Sequence, residues 1–255
     1  MSELALGLEL LLLLFMTGLC AGALDAVAGG GGLITLPVLL AVGIAPTEAL
    51  ATNKLQGSFG TFSSSLYFVR RGLVNLPRIA PLIALTFIGS AGGTLLVQRI
   101  DSAFLTRFMP LLLIATALYF WFGPALRDTS RRERVGALMF GVLVGCGVGF
   151  YDGFFGPGAG TFFTFGFVFL LGLNLIEATA HTKVLNFTSN IASLIFFALA
   201  GKVIWGVGLT MAAGQLIGGR LGAHLVHSRG TRLVRPAVVV VSLTISLKLL
   251  VDAYL

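Results

Sequence analysis

Residues Glu48-Ala49-Leu50-Ala51-Thr52-Asn53-Lys54 return as Glu177-Ala178-Thr179-Ala180-His181-Thr182-Lys183, 129 positions later. At the same offset Gly72 falls on Gly201, and Gly89-x-x-x-Gly93 falls on Gly218-x-x-x-Gly222. Upstream, Asp25 and the run Gly29-Gly30-Gly31-Gly32 match Asp152 and Gly156-Pro157-Gly158-Ala159, with a slip of two residues. So many matches in one register divide the chain into two homologous halves, 1–125 and 135–255, joined by a basic linker at 126–134.

Both halves have the same hydropathy anatomy. A long apolar run (4–24; 135–151) has an acid at or just beyond its end. A glycine-rich break follows, then a short apolar run (33–42; 161–173). Three longer helices come next, near 48–69, 79–97 and 104–123, with counterparts near 177–199, 203–226 and 233–254. Runs this apolar and without alternation are helices, not barrel strands. The short runs are shorter than the ~20 residues of an ordinary span and read as half-helices or buried short spans.

Composition sets the solvent. Apolar side chains make up 56% of the 255 residues and charged ones 11%, against about 25% charged in a soluble domain. With a mean hydropathy of +0.98, too few polar residues remain to coat a globule, so the partner is a lipid bilayer. At ~20 residues per span the length allows at most about ten crossings, and no separate soluble domain fits. The net charge of +7 comes from short clusters between apolar runs. No basic stripe interleaved with aromatics is present, which argues against nucleic acid. Cys20 and Cys146 lie inside apolar segments and read as small core residues. The first basic residue is Lys54, and Glu3 and Glu9 lie in or before the first apolar run. That is unlike a signal peptide, so the run is expected to stay as a membrane helix.

Loop charges orient the halves. Arg70, Arg71 and Arg78 form one cluster, Arg127, Arg131, Arg132 and Arg134 a second, and Arg229, Arg232 and Arg235 a third. The alternate gaps hold only Arg99, Arg107 and Lys202. Placing the three clusters on the cytoplasmic side satisfies the positive-inside rule. Equivalent gaps of the two halves then face opposite sides, so the repeats read as inverted, with about five helical segments each. A parallel arrangement of eight spans, which leaves one cluster on the wrong face, is the alternative. The expectation is an all-α polytopic membrane protein of eight to ten spans.

Inverted repeats with Gly-interrupted short helices point to a secondary transporter. The breaks, represented by Gly30, Gly31 and Gly32 and by Gly158, Gly160 and Thr161, should bare N–H groups at the next helix start, where partial positive charge holds anions. On the third helix Asn53, Gly57, Gly60 and Ser64 share one face, as do Thr182, Asn186, Ser189 and Ser193 at the equivalent positions. With Gln56 and Asn190 beside them, these stripes are expected to turn inward and line a polar cavity. Gln215 and Arg220 interrupt an apolar helix and are candidates to reach the anion. Lys54 and Lys183 read either as snorkelling helix starts or as an anion-attracting vestibule. Asp25 and Asp152 read as caps of the helix breaks before proton carriers. The Gly89/Gly93 and Gly218/Gly222 pairs read as close helix contacts. No spacing of His, Cys, Asp and Glu suits a metal, no cofactor is implied, and no nucleophile elbow is present.

These motifs together resemble the TauE/SafE family of membrane permeases, also called sulfite or organosulfonate exporters. The residues that carry the resemblance are Ala28-Gly29-Gly30-Gly31-Gly32-Leu33 and Gly156-Pro157-Gly158-Ala159-Gly160, the repeated Glu48–Lys54 and Glu177–Lys183 motifs, and Gly218-Gly219-Arg220-Leu221-Gly222. The resemblance implies passage of a small anion such as sulfite, sulfoacetate or a related sulfonate across a bacterial inner membrane. His181 departs from the small polar residue expected at its position. A membrane-embedded enzyme and an assembly or partner protein remain as alternatives, and a homodimer stays open.

Overall fold

A computed structural model describes residues 7–122, 134–229, 243–247 and 249–251, and every regular element among them is helical. The first half holds α1 (Leu8–Ala28), α2 (Gly32–Ala41), α3 (Pro46–Arg70), α4 (Leu76–Val97) and α5 (Ser102–Phe122). The second begins with α6 (Ala137–Phe154), which is π-helical over Gly141–Val148. It continues through α7 (Ala159–Phe169), α8 (Leu175–Leu199) and α9 (Trp205–Arg229). The helices fall on the runs that hydropathy marks. Most of the counterpart of α5, expected over 233–254, lies outside the described residues. So do Arg127, Arg131, Arg132, Arg232, Arg235 and Lys248.

Local chemistry explains the boundaries. α1 stops where Gly29 turns left-handed (φ 73°), and the Gly29 amide closes on the Asp25 carbonyl at 2.8 Å. Pro46 opens α3 at a position where a missing N–H costs nothing. Asn75 and Asn174 cap α4 and α8 by accepting from the amides of Arg78 (3.2 Å) and Glu177 (2.9 Å). α7 starts at Gly158, again left-handed (φ 80°).

Among the described residues five helices are long and apolar enough to cross a membrane: α1, α4, α5, α6 and α8. Their outward faces are apolar, as at Leu12, Leu13 and Met16 of α1 and Ile88 of α4. Much of the interior is polar: Thr52, Gln56, Ser64, Thr182, Ser189 and Ser193 are almost fully enclosed. This inside-out distribution suits a lipid solvent. Cys20 also lies on the exposed face of α1 instead of in a core, and Cys146 is half-buried; both are free.

Lipid supplies no hydrophobic drive between helices, so close backbone approach has to hold them. On α1, a Cβ at Gly18 or Gly22 would strike the backbone of Met211 or Gln215 on α9. In return, Gly214, Gly218 and Gly222 of α9 lie against Phe15, Leu19 and Ala23. The same device joins α4 to α6, where Gly89 and Gly93 meet Cys146 and Phe150, and Gly149 and Gly153 meet Thr86 and Ser90. In each pair the contacts advance in the same direction along both helices. The exchange is reciprocal: the first helix of each half lies on the fourth helix of the other. α3 runs beside α9 (Leu55 on Gly208, Gly60 on Gly219) and crosses α8 where Asn190 meets Gly57 and Phe62 meets Phe187. Within the π-helical stretch, Val144 fills the space that Gly166 leaves on α7.

Candidate functional site

The two glycine breaks meet at the centre of the bundle. A Cβ on Gly29 would stand 2.5 Å from the Gly160 carbonyl carbon, and one on Gly160 would stand 2.5 Å from the Gly29 Cα. Only glycine at both positions permits this approach. The α2 and α7 N-termini therefore face one shared space. Leu33 and Ile34 bond back to the Gly30 and Gly31 carbonyls, and Thr161 and Phe162 to the Gly158 carbonyl. The amides of Gly32 and Gly160, both beside the cavity, have no acceptor among the described residues.

Each break is fastened to the opposite half by a buried ion pair. Lys54 Nζ on α3 donates to Asp152 Oδ1 at 2.6 Å, and Lys183 Nζ on α8 reaches Asp25 Oδ2 at 3.3 Å and also the Asp25 carbonyl. Both lysines are 1% exposed, so neither snorkels nor stands in an open vestibule. Burial of this kind persists only when charges are matched and hydrogen-bonded. The Asp25 carboxylate keeps part of the capping role expected of it, since its Oδ1 accepts from the Gly31 amide at 3.4 Å. Asp152 does not cap; its partner is Lys54.

Side-chain amides complete the lining. Gln215 Nε2 on α9 donates to Gln56 Oε1 (2.7 Å), and Gln56 Nε2 donates to Asn53 Oδ1 (2.7 Å), which also accepts from Thr35 on α2 (2.6 Å). The relay fills the acceptor of Asn53 and leaves its NH2 as a donor. In the second half Thr164 of α7 donates to Thr182 (3.1 Å), at positions equivalent to Thr35 and Asn53. Asn190 donates to Thr61 at 3.4 Å; these two are themselves equivalent positions, touching where α3 crosses α8.

The result is a cavity of about 40 Å³, about three times the ~10–15 Å³ needed by one water on the same measure. It is lined by Asp25, Gly31, Gly32, Asn53, Gln56 and Gly57, and by Asp152, Gly160, Asn186, Asn190 and Gln215. Gly29 and Gly156, which open the two breaks, and Thr61, one helical turn after Gly57 beside the polar stripe, also line it. Gly30, Gly158, Thr161 and Thr182 are not among the lining residues: Gly158 abuts Thr116, and Thr182 is enclosed against Thr164. Arg220 is exposed and does not reach the cavity, because its direction on α9 is opposite to that of Gly218 and Gly222. The upper parts of the polar stripes are contacts, not lining: Ser189 and Ser193 bond to Ser90 and Thr94 of α4. His181 holds the Glu177 carbonyl (2.8 Å) and packs on Phe167.

Membrane-length helices around a narrow, mainly polar cavity define a multi-pass membrane protein built to handle a small solute. The family model described as "Sulfite exporter TauE/SafE" matches residues 14–249, and the chain belongs to that family. Similar proteins include a "Probable membrane transporter protein" of Haemophilus influenzae, 49% identical over 97% of each chain. Another is the "Probable membrane transporter protein YfcA" of Escherichia coli K12, 49% identical over 96% of this chain and 91% of the relative. A third is the "Probable membrane transporter protein ORF9" of a Sinorhizobium species, 42% identical over 97% and 95%. No solved structure matches. The protein is a membrane transporter, not an enzyme.

Proposed function

We propose that the protein is a secondary transporter that exports small sulfur-containing anions, sulfite or an organosulfonate such as sulfoacetate, across a bacterial inner membrane. The observation that carries this reading is the meeting of two broken-helix N-termini in a buried cavity rich in N–H donors. The two lysines and two aspartates cancel, so attraction for an anion falls to the amides of Gly32 and Gly160, to the helix dipoles behind them and to the side-chain NH2 groups. Tetrahedral oxyanions suit such a set, because their oxygens accept several hydrogen bonds at once.

Alternating access follows from two inverted repeats that rock about this site. Inversion is supported by the helix directions: α1, α3 and α9 run one way, whereas α4, paired in parallel with α6, returns from α3 through a short loop. The ion pairs link the halves without crossing the cavity and serve as the joints of that motion. Export needs no further energy source than the membrane potential. At ~100 mV, negative inside, each departing negative charge gains about 2.3 kcal/mol, roughly a fifty-fold gradient for a monoanion.

Purified protein in liposomes should release trapped labelled sulfite or sulfoacetate faster when an inside-negative potential is imposed. A rate equal to that of protein-free vesicles for every sulfur anion tried overturns the reading. Asn53→Leu and Asn186→Leu should each weaken binding of the transported anion while the protein stays folded in detergent. Unchanged affinity in both removes the α3 and α8 stripes from the mechanism.

A further inference from the structure

Asp152 differs from every other polar group of the cavity. It is 4% exposed and lines the cavity, its Oδ1 is held by Lys54, and its Oδ2 has no hydrogen-bond partner among the described residues. Asp25, by contrast, has donors on both oxygens. The charged groups beside Asp152 are few. Lys54 is already spent on Oδ1, Lys183 is spent on Asp25, and the neighbouring Tyr151 hydroxyl donates to the Pro157 carbonyl at 2.6 Å. The rest of the lining offers the amide donors of Gly32 and Gly160 and the NH2 groups of Asn53, Asn186 and Asn190. Its other acceptors are the neutral side-chain oxygens of Asn186, Asn190 and Gln215. Asp152 Oδ2 is the charged acceptor without a partner among the described residues. A well-matched occupant therefore has several acceptor oxygens and, on one side, a hydrogen of its own to give.

Resting on the sulfur-anion reading above, we propose that Asp152 Oδ2 accepts a hydrogen bond from the substrate. The transported species is then a singly charged sulfur oxyanion with an O–H or N–H group: hydrogen sulfite, or a hydroxy- or aminosulfonate. A dianion is disfavoured because its second charge would sit near a buried carboxylate where water screens little. Sulfoacetate falls in this class, so the reading above narrows to sulfite in its hydrogen sulfite form and to donor-bearing monosulfonates. An alkylsulfonate is disfavoured because it leaves Oδ2 buried and unpaired, and rejection of a ligand that lacks the matching donor is the sharpest discrimination a polar site can achieve.

Sulfamate and methanesulfonate test this directly, since they share size, shape and single charge and differ in NH2 against CH3. By titration calorimetry near neutral pH, wild-type protein should bind sulfamate roughly ten- to hundredfold more tightly than methanesulfonate, with sulfate weakest of the three. In the double variant Lys54→Met/Asp152→Leu, which removes both charges together, the preference for sulfamate should vanish. Equal binding of sulfamate and methanesulfonate by the wild type overturns the proposal on its own, as does a preference that survives in the double variant. If sulfamate, methanesulfonate and sulfite all fail to bind and none moves in proteoliposomes, the sulfur-anion reading itself falls, and this inference with it.

Discussion

The two glycine breaks are copies of one motif, yet they are used differently. Gly31 follows Asp25 by six positions, as its counterpart Gly158 follows Asp152, and the difference lies in how each aspartate is held. In the first break the Gly31 amide reaches back to Asp25 Oδ1, and Lys183 takes Oδ2 and the backbone carbonyl as well. Donor and acceptor are consumed within the protein. In the second break no backbone amide is bonded to the Asp152 carboxylate among the described residues. Asp152 keeps one oxygen bare, and the Gly160 amide stays beside the cavity. On the proposal above, the second of these two anchors is also the one that reads the ligand.

The largest effect that separates the breaks should come from single lysine removals. Lys54→Met leaves a nearly enclosed carboxylate without its counter-ion and should cost about 3–5 kcal/mol, measured as a lowered melting temperature in detergent. Lys183→Met should cost clearly less, since Asp25 retains the Gly31 amide and its side chain is 17% exposed. Equal losses would break the comparison. Replacing both partners, as in Lys54→Met/Asp152→Leu, should recover most of the stability.

Next in size is Gly160→Ala. The added methyl would meet Gly29 backbone and the Asn186 amide at 2.5 and 2.8 Å, so about 1–3 kcal/mol is expected, together with loss of flux in liposomes. Gly32→Ala meets only Pro157, at 3.3 Å and beyond, and should leave the melting temperature nearly unchanged. The smallest effect concerns the equivalent threonines. Thr35→Val and Thr164→Val each remove one buried hydrogen bond, about 1 kcal/mol of stability. Only Thr35→Val should also weaken anion binding, since only Thr35 steers a cavity amide, that of Asn53. A titration in which both variants bind as the wild type would show that Asn53 needs no such steering.

Much of the site was legible in one dimension. Asn53, Gly57 and Asn186 declared themselves by helical spacing, and the breaks by glycine runs at matched positions. The lysines were not legible in that way. Their nearest acids in sequence, Glu48 and Glu177, are six residues away, while the partners they actually hold lie 98 and 158 residues away. Helical periodicity reports which face a residue occupies and is silent on what that face meets. Arg220 shows the same limit: it sits among glycines that pack tightly, but points to the other side of α9.

Composition and period alone determined that the chain is a helical membrane protein with glycine breaks at matched positions of a repeated motif, because lipid tolerates only self-satisfied backbones and a repeated motif is visible without coordinates. Tertiary structure alone decided that each half is locked to the aspartate of the other, and that Asp152 Oδ2 has no partner among the described residues. Those facts depend on distances between segments a hundred or more residues apart, and such distances are set by how whole helices cross and not by any local preference of the chain.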